Sequence, residues 1–315
     1  MERTHRRTFG RASLGAALVA VALVAAACSS GSSSSSSTTS ASTATTLPTT
    51  VIPTQSKVAA VAELVPAAVT QSGQVTFAMD ATYPPDEFTA PGSTDIIGMD
   101  ADLGKAIAQT MGLAPILKNV TFDAIIPGLQ AGKYDVGLSS FTDTKARQEV
   151  VDFVDYFQAG EAFYVKSGSS TTFSSTASLC GHSVAVETGT VEETDAKTAD
   201  TTCQKAGKSA VQVLSFPTQT AVNLAVSSGR ADVGFADSQV AGYVVAQSGG
   251  AFALSGEAFN VAPYGIATPK GNGMAPAIAA AVSHLMANGV YTQILKKWGV
   301  ESGAVQSVSI NGATS

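Results

Sequence analysis

The chain has 315 residues, of which 18 are lysine or arginine and 24 are aspartate or glutamate, so its formal net charge is −6 at pH 7. A modestly acidic chain in which 13% of the residues are charged lacks the basic face that nucleic-acid binding requires. The length allows two domains of ordinary size once the N-terminal segment is set aside.

Residues 1–28 have the layout of a secretory signal. Four arginines within the first 11 residues precede an apolar run over 14–27. This run is shorter than the ~20 residues of a membrane-spanning helix. The segment Ala25-Ala26-Ala27-Cys28 resembles a bacterial lipobox, which implies cleavage before Cys28 and a lipid on that cysteine. An ordinary signal peptide with an incidental cysteine is the alternative.

Residues 29–70 are predicted to be a flexible tether. Up to about Thr54 they are rich in serine and threonine and contain almost no apolar side chains, so they cannot bury enough surface to offset the entropy lost on ordering. A tether behind a lipid-bearing cysteine suits a protein that is held at a membrane but works in solution.

From Gln74 onward, strand-like and helix-like segments alternate, and Asp100 is the expected N-cap of the first helix. Strands are predicted near 74–79, 115–120, 136–138, 162–166, 183–186, 210–216, 231–235 and 264–268. Helices are predicted near 103–111, 122–131, 191–206, 218–228, from Asp237 onward, and near 274–288 and 291–298. This alternation predicts mostly parallel sheets covered by helices on both faces.

A six-residue block, Gly132–Gly137 (GKYDVG), returns as Gly229–Gly234 (GRADVG). In each copy we expect a helix that ends at the first glycine, a cation near the carbonyl end of the helix dipole, and then a buried strand. Polar residues follow both strands: Ser139, Ser140 and Thr142 after the first, Asp237 after the second. Ligands of open α/β sheets lie beyond the carboxyl ends of strands, so two similar α/β units are predicted to face one small molecule.

The chain has three cysteines. If Cys28 carries a lipid, Cys180 and Cys203 remain, and export places them where disulfides persist. We expect them to form a disulfide, worth ~3–4 kcal/mol in the chain-entropy model. Buried free thiols and a metal site are the alternatives. No metal site is predicted, since only His182 lies nearby and zinc-type spacing is absent.

Four segments carry a resemblance to a known family: 98–103 (GMDADL), 122–129 (FDAIIPGL), 139–144 (SSFTDT) followed by Arg147, and 289–298. They resemble the family 3 extracellular solute-binding proteins, the amino-acid receptors of bacterial ABC importers, and the resemblance covers about 75–300. It implies the type II periplasmic-binding-protein fold, in which two α/β lobes close by a hinge motion on a ligand in the cleft between them. Lobe 1 would comprise 71–162 and 263–300, and lobe 2 would comprise 166–256. Residues 301–315 would be a C-terminal tail.

By this resemblance, Arg147 binds the carboxylate of the ligand, because its planar guanidinium group matches two oxygens at once. A surface arginine at the start of a charged helix is the alternative. Thr190 matches a second contact to the carboxylate, although Val191 stands where the family often has a hydroxyl or glycine. Polar residues just upstream of Arg147 line the same site: Ser139, Ser140 and Thr142.

Asp237 matches the acidic residue that receives the ligand ammonium group, and an N-cap of the next helix is its alternative role. Asp80, Tyr83 and Phe122 match positions around the ligand side chain, and Glu187 occupies a variable selectivity position. Two carboxylates, Asp80 and Glu187, would favour a cationic side chain such as that of arginine, lysine or ornithine. Alternatively, Glu187 points away from the cleft, or the pair binds a neutral amide.

The resemblance therefore implies an exported monomer, anchored by lipid alone to the outer face of the bacterial cytoplasmic membrane. It would capture a polar amino acid and deliver it to an ABC permease. No cofactor and no catalytic residue are expected. The alternatives are an enzyme of the same fold, such as a dehydratase with Glu187 as general acid, and a ligand-sensing ectodomain with a separate signalling partner.

Overall fold

The computed structural model describes residues 47–313. The predicted signal, Cys28, the tether up to residue 46 and the last two residues lie outside this range. Within it, no helix is both long and apolar enough to cross a bilayer.

Helices and strands alternate along the described chain as the sequence predicts. The helices are α1 (Ala59–Ala62), α2 (Ala67–Ser72), α3 (Met99–Met111), α4 (Phe122–Gln130), α5 (Lys145–Gln148), α6 (Val191–Lys205), α7 (Gln219–Ser227), α8 (Ser238–Gln247), α9 (Met274–Ala287) and α10 (Val290–Trp298). The strands are β1 (Gln74–Met79), β2 (Thr82–Tyr83), β3 (Glu87–Thr89), β4 (Ile96–Ile97), β5 (Ala114–Asn119), β6 (Val136–Gly137), β7 (Val151–Lys166), β8 (Ser183–Glu187), β9 (Gln212–Phe216), β10 (Val233–Asp237), β11 (Phe252–Pro269) and β12 (Ala304–Ile310).

Nine strands form one sheet in the order β5-β1-β6-β11-β7-β10-β8-β9, with β12 paired to β7. The strands β5, β1 and β6 are parallel and are called here the first half-sheet; β10, β8 and β9 are also parallel and are called the second half-sheet. Between them, β7 and β11 pair antiparallel, and their 16 and 18 residues extend into both half-sheets. The strands β2, β3 and β4 form a separate small sheet.

Each half-sheet carries helices on both faces, because alternate residues of a strand point to opposite sides. In β1, Phe77 belongs to the apolar cluster of α3 and α9, whereas Ala78 belongs to that of α4. In β8, Val184 shares a cluster with α6, and Ala185 shares one with α7 and α8. The two half-sheets therefore have separate cores, as two lobes would require; the exact lobe boundaries stay a prediction.

Both copies of the repeated block contain the predicted helix, glycine and strand. The helices α4 and α7 end just before the first glycine of each block, and these glycines adopt left-handed φ values of 66° and 74°. The aspartate of each block joins its strand to the neighbouring parallel strand of the sheet, β1 in the first copy and β8 in the second. Asp135 donates from its N–H to Thr76 O (3.1 Å) and accepts from Thr76 N (2.8 Å), and Asp232 makes the same pair of bonds with Ser183 (2.9 and 2.8 Å). The repeat thus fixes strand pairing in each half-sheet.

Cys180 and Cys203 form a disulfide, the pairing that the sequence favours. Cys203 lies in α6 and is buried, and Cys180 directly follows the 3₁₀ turn Thr176–Leu179. The bond therefore joins a loop of the second half-sheet to the helix that covers one of its faces.

The packed structure extends beyond the predicted lobes at both ends. Within the part of the predicted tether that the structure describes, four valines pack into the cluster beneath α3 and α9: Val58, Val61, Val65 and Val69. At the other end, β12 extends the sheet, and the N–H groups of Gly312 and Ala313 donate to Asp155 (2.9 Å) and Asp143 (3.1 Å). Residues 47–70 and 301–313 are therefore held by core contacts and sheet hydrogen bonds.

We expect Gly234, the last glycine of the second block, to tolerate no side chain. A Cβ atom there would overlap the ring of Tyr164, whose hydroxyl is bonded to Asn223 and Gln219. Gly234→Ala should lower the free energy of unfolding by about 1–3 kcal/mol through overpacking, as measured by urea denaturation. Gly242→Ala in α8 is the control, because no heavy atom lies within 4 Å of its Cβ position, and it should be neutral or stabilising. Equal losses in both variants would contradict the crowding argument.

Candidate functional site

A narrow cavity with a free volume of about 10 Å³ lies where the parallel strands of both half-sheets end. Asp80 follows β1, Ser139 lies two residues beyond β6, and Glu187 and Asp237 are the last residues of β8 and β10. All ten residues predicted for the ligand site line this cavity, together with three that were not predicted. The lining consists of Asp80, Tyr83, Glu87, Phe122, Ser139, Ser140, Thr142, Arg147, Glu187, Thr190, Val191, Glu192 and Asp237.

Arg147 projects into the cavity from the short helix α5. The Thr144 side chain caps this helix by accepting from Arg147 N (3.2 Å). The guanidinium group lies over the rings of Phe122 and Phe141, 5.4 and 5.5 Å from their centroids. Such cation–π contacts attract a cation to the ring faces, so the group occupies a defined position rather than that of a freely exposed arginine.

Both terminal nitrogens of Arg147 donate to backbone carbonyls. Nη1 donates to Thr142 O (2.7 Å), and Nη2 donates to Gly189 O (2.9 Å) in the second half of the molecule. Burial lowers the pKa of Arg147 from its ordinary value, and the carboxyl groups of Glu192 and Asp237 oppose that shift. An arginine stays protonated in proteins, so Arg147 supplies a permanent cation to the cavity.

Asp237 points into the cavity instead of capping α8. It occupies the N-cap position, but its side chain makes no capping hydrogen bond. Its Oδ2 accepts from Tyr83 OH at 2.7 Å, a bond that crosses from the small sheet to the second half-sheet. Burial raises the pKa of Asp237 to about 6, against the lowering effects of hydrogen bonds from Tyr83 and Tyr264 and of the Arg147 charge.

Asp80 and Glu187 form a second acidic group in the cavity, and both are only 2% exposed. Asp80 accepts from Thr82 Oγ1 (2.7 Å) and Phe122 N (3.0 Å). Glu187 is directed toward Asp80, and one of its oxygens is buried without a hydrogen-bond partner. Burial, and then the charge of Asp80, raise the pKa of Glu187 well above its ordinary value. The alternative in which Glu187 points away is therefore not the arrangement found.

Several hydroxyl groups of the site are already engaged by the protein. Ser139 Oγ donates to Glu87 Oε1 (2.7 Å), and Ser140 Oγ donates to Asp86 Oδ2 (3.0 Å). Thr190 Oγ1 donates to the backbone carbonyl of Glu187 (2.8 Å) and caps α6. These side chains shape the cavity mainly by holding its walls.

Three buried carboxyl groups behind the serines were missed as part of the site: Asp86, Glu87 and Asp100. The expectation that Asp100 caps α3 is wrong, because the cap is Gly98 and Asp100 lies one residue inside the helix. There Asp100 accepts from Ser140 N (3.0 Å) and Tyr156 OH (2.6 Å). Burial is the main cause that raises the pKa of all three groups, to about 6 for Asp100.

Several hydrogen bonds connect the two halves of the molecule around the cavity. Besides the Tyr83–Asp237 and Arg147–Gly189 bonds, Gln219 N donates to Thr82 Oγ1 (3.1 Å), and Gln239 Nε2 donates to Asp86 Oδ2 (2.8 Å). Gln239 Nε2 also lies 2.6 Å from Tyr264 OH. Because these bonds cross between the half-sheets, any opening of the cavity must break them.

The cavity chemistry favours a cationic ligand. Five carboxyl residues and one guanidinium group line the cavity. Aromatic faces at Phe122 and Tyr83 add surfaces on which an aliphatic stem or a flat cation can pack. Among residues 47–313, no group of three or more histidine, cysteine, aspartate or glutamate side chains could hold a metal ion.

Comparison with known proteins gives consistent matches. The family model of bacterial extracellular solute-binding proteins, family 3, matches residues 75–301. The chain is 35% identical over 255 residues to the arginine-binding protein ArgT of Corynebacterium glutamicum, covering 81% of this chain and 83% of that protein. It is 31% identical over 213 residues to the ABC transporter glutamine-binding protein GlnH of Bacillus subtilis, covering 66% and 74% respectively.

Among solved structures, an ancestral arginine-binding protein bound to arginine aligns with a TM-score of 0.66 at 35% identity, covering 72% of this chain and 98% of that chain. The predicted α/β fold of the periplasmic-binding type is thereby confirmed.

The buried acids predict that the protein without added ligand loses stability as pH rises. Folding raises the pKa of Asp100, Asp155 and Asp237 from 3.8 to about 6, and that of Glu161 from 4.5 to about 8. Between pH 5 and pH 8 the folded chain then binds more protons than the unfolded chain, so the free energy of unfolding falls with rising pH. Scanning calorimetry should show a melting temperature that decreases across this range.

Glu161→Gln is the companion variant, because it removes the group that titrates highest among those four. Its melting temperature should depend less steeply on pH between 6 and 8 than that of the unmodified protein. A melting temperature that rises from pH 5 to pH 8 would contradict the argument.

Proposed function

Because the chain belongs to the bacterial extracellular solute-binding proteins of family 3, we propose that its cavity captures a basic amino acid for delivery to an ABC importer. The observation that carries this proposal is the paired acids Asp80 and Glu187, which line the same cavity as Arg147 and Asp237. A basic amino acid has two cationic groups and one carboxylate, and this set of side chains offers a partner for each.

Each proposed contact follows from charge. Arg147 receives the α-carboxylate, since a guanidinium group can donate to both oxygens at once. Asp237 receives the α-ammonium group, and the Asp80–Glu187 pair receives the cation of the side chain. Phe122 and Tyr83 flank the aliphatic stem. A glutamate or aspartate ligand would bring a further carboxylate beside two buried acids, and like charges in a low-dielectric site repel strongly.

Similar proteins are named for both ligands. ArgT and the ancestral arginine-binding protein are each 35% identical to this chain, but an arginine-binding and a glutamine-binding relative are both 31% identical, and an ancestral arginine-binding protein bound to glutamine is also 35% identical. The choice between the ligands therefore rests on the charges of the cavity. A neutral ligand would leave the Asp80–Glu187 pair without a cation, so we place glutamine second.

We further propose how the molecule is organised for this task. Lobe 1 (71–162 with 263–300) and lobe 2 (166–256) close on the ligand by bending of β7 and β11 near 163–165 and 257–262. In β11 the pairing shifts register between Ser255 and Ala262, and Asn260 adopts a left-handed φ of 51°. The protein acts as a monomer, held by a lipid on Cys28 at the outer face of the bacterial cytoplasmic membrane.

One observation favours the enzymatic alternative. The pKa of Glu187 is raised, and a general acid must hold its proton near neutral pH. The same property follows from burial of Glu187 beside Asp80, which a binding protein also tolerates. We therefore propose a receptor without catalytic activity. Recovery of the bound amino acid unchanged after prolonged incubation, by mass spectrometry, would support this; a converted product would refute it.

A thermal-shift screen tests the ligand class. Ligands that bind only the folded state raise its stability by mass action, by about 2.7 kcal/mol at one hundred times the dissociation constant. Arginine, lysine and ornithine should raise the melting temperature, whereas glutamate and aspartate should not. Citrulline is the matched control ligand, because it replaces the guanidinium group of arginine with a neutral group of similar shape. Equal increases in melting temperature with citrulline and arginine would contradict the proposed role of Asp80 and Glu187.

Arg147→Ala should weaken binding of the amino acid identified in that screen by about 2–5 kcal/mol, because it leaves the ligand carboxylate buried without a partner. Isothermal titration calorimetry measures the loss. Arg230→Ala is the control: Arg230 is the cation of the second repeated block, it is exposed, and it stacks on Phe216 away from the cavity lining. Unchanged affinity in Arg147→Ala would refute the proposed carboxylate contact.

A further inference from the structure

Glu192 is a cavity carboxylate to which the proposed function assigns no task. It is the second residue of α6, is 1% exposed and lines the same cavity as Asp237 and Arg147. Its Oε1 is buried and has no hydrogen-bond partner within the described chain. A buried polar atom without a partner is costly, so its retention beside the cavity calls for an occupant that supplies a donor.

The neighbouring Glu193, on the same turn of α6, receives its hydrogen bonds from the protein itself. Its carboxylate accepts from Lys197 Nζ (2.7 Å), Ser215 Oγ (2.6 Å) and Gly189 N (2.9 Å). Glu192 has no such set of partners. The charged groups that act on it are Asp237, Glu161 and Arg147. Glu192 therefore stands with Asp237 at the side of the cavity where Arg147 supplies the only guanidinium group of the lining.

Arg147 has less need of an external carboxylate than a lone buried arginine would have. Two of its nitrogens already donate to Thr142 O and Gly189 O, its face is covered by aromatic rings, and Glu192 and Asp237 balance its charge. A ligand carboxylate entering here meets one cation and two acids. A ligand amino group meets two acids, one of which has an unpartnered oxygen.

From this arrangement we infer that Glu192 and Asp237 together receive the ligand amino group, and that the cavity also binds linear guanidinoalkylamines and diamines that lack an α-carboxylate. The inference rests on the proposed function in using the same cavity, with the distal cation again at Asp80 and Glu187. It adds a specificity residue, Glu192, and a second class of ligand. The amino group would supply the missing donor to Glu192 Oε1.

The test compares two ligands that differ only in the carboxylate, L-arginine and agmatine (4-aminobutylguanidine), by isothermal titration calorimetry on the unmodified protein. The affinity for agmatine should lie within about a hundredfold of that for arginine. If binding depended wholly on the Arg147–carboxylate pair, the loss of affinity would be about a thousandfold. Agmatine binding weaker than that hundredfold limit overturns the inference. Arginine binding in the same series reports separately on the proposed function, so the two failures are distinguishable.

Glu192→Gln is the variant that isolates the residue, since glutamine keeps the shape and removes the charge. It should lower the ratio of agmatine affinity to arginine affinity at least tenfold, because both ligands lose the acid beside the amino group, whereas only arginine also loses a repulsion from its carboxylate. Glu301→Gln, an exposed position outside the cavity lining, is the matched control and should leave the ratio unchanged. A ratio in Glu192→Gln equal to that of the control, with an unaltered melting temperature, overturns the inference.

Discussion

The shortage of cations around buried carboxyl groups is the constraint on which this site depends. Seven acids are buried in or directly behind the cavity, where a single guanidinium group faces them: Asp80, Asp86, Glu87, Asp100, Glu187, Glu192 and Asp237. Isolated charges in such surroundings are too costly to persist. The raised pKa of every one of these acids reflects that cost, and burial is its first cause in each.

The polar residues around the cavity are arranged to meet this constraint. Ser139, Ser140 and Tyr156 donate to Glu87, Asp86 and Asp100 respectively. Gln239 reaches across from α8 and donates to the same Asp86 oxygen as Ser140. Ser140 adopts a left-handed φ of 49°, a conformation unfavourable for a residue with a side chain. That conformation directs its N–H to Asp100. A serine cluster that resembles a ligand-binding loop thus also supports the wall behind it.

Much of this molecule could be predicted from the sequence, and the gaps have physical causes. The parallel strands, their helices and the repeated block follow from local periodicity and glycine placement. The sequence predicts only parts of the long strands β7 and β11, namely 162–166 and 264–268. Polar residues such as Glu161 and Asn260 interrupt the apolar pattern where these strands pass between the half-sheets. The sequence analysis did not place Asp86, Glu87 and Glu192 in the site, because an acid beside a turn or in the first turn of a helix is usually exposed to solvent. Their burial depends on contacts between distant segments.

The same atoms serve closure and recognition, which couples the two. Tyr83 bonds to Asp237, and Arg147 bonds to Gly189, across the two halves of the molecule. Asp237 and Arg147 are also the groups with the charges that a zwitterion needs. A ligand ammonium group brings a positive charge to Asp237, which the tyrosine hydroxyl does not, so it can compete for Asp237 or share it with Tyr83. If it shares, closure and binding reinforce each other. If it displaces the tyrosine, the remaining bonds at Arg147, Thr82 and Asp86 must hold the halves together.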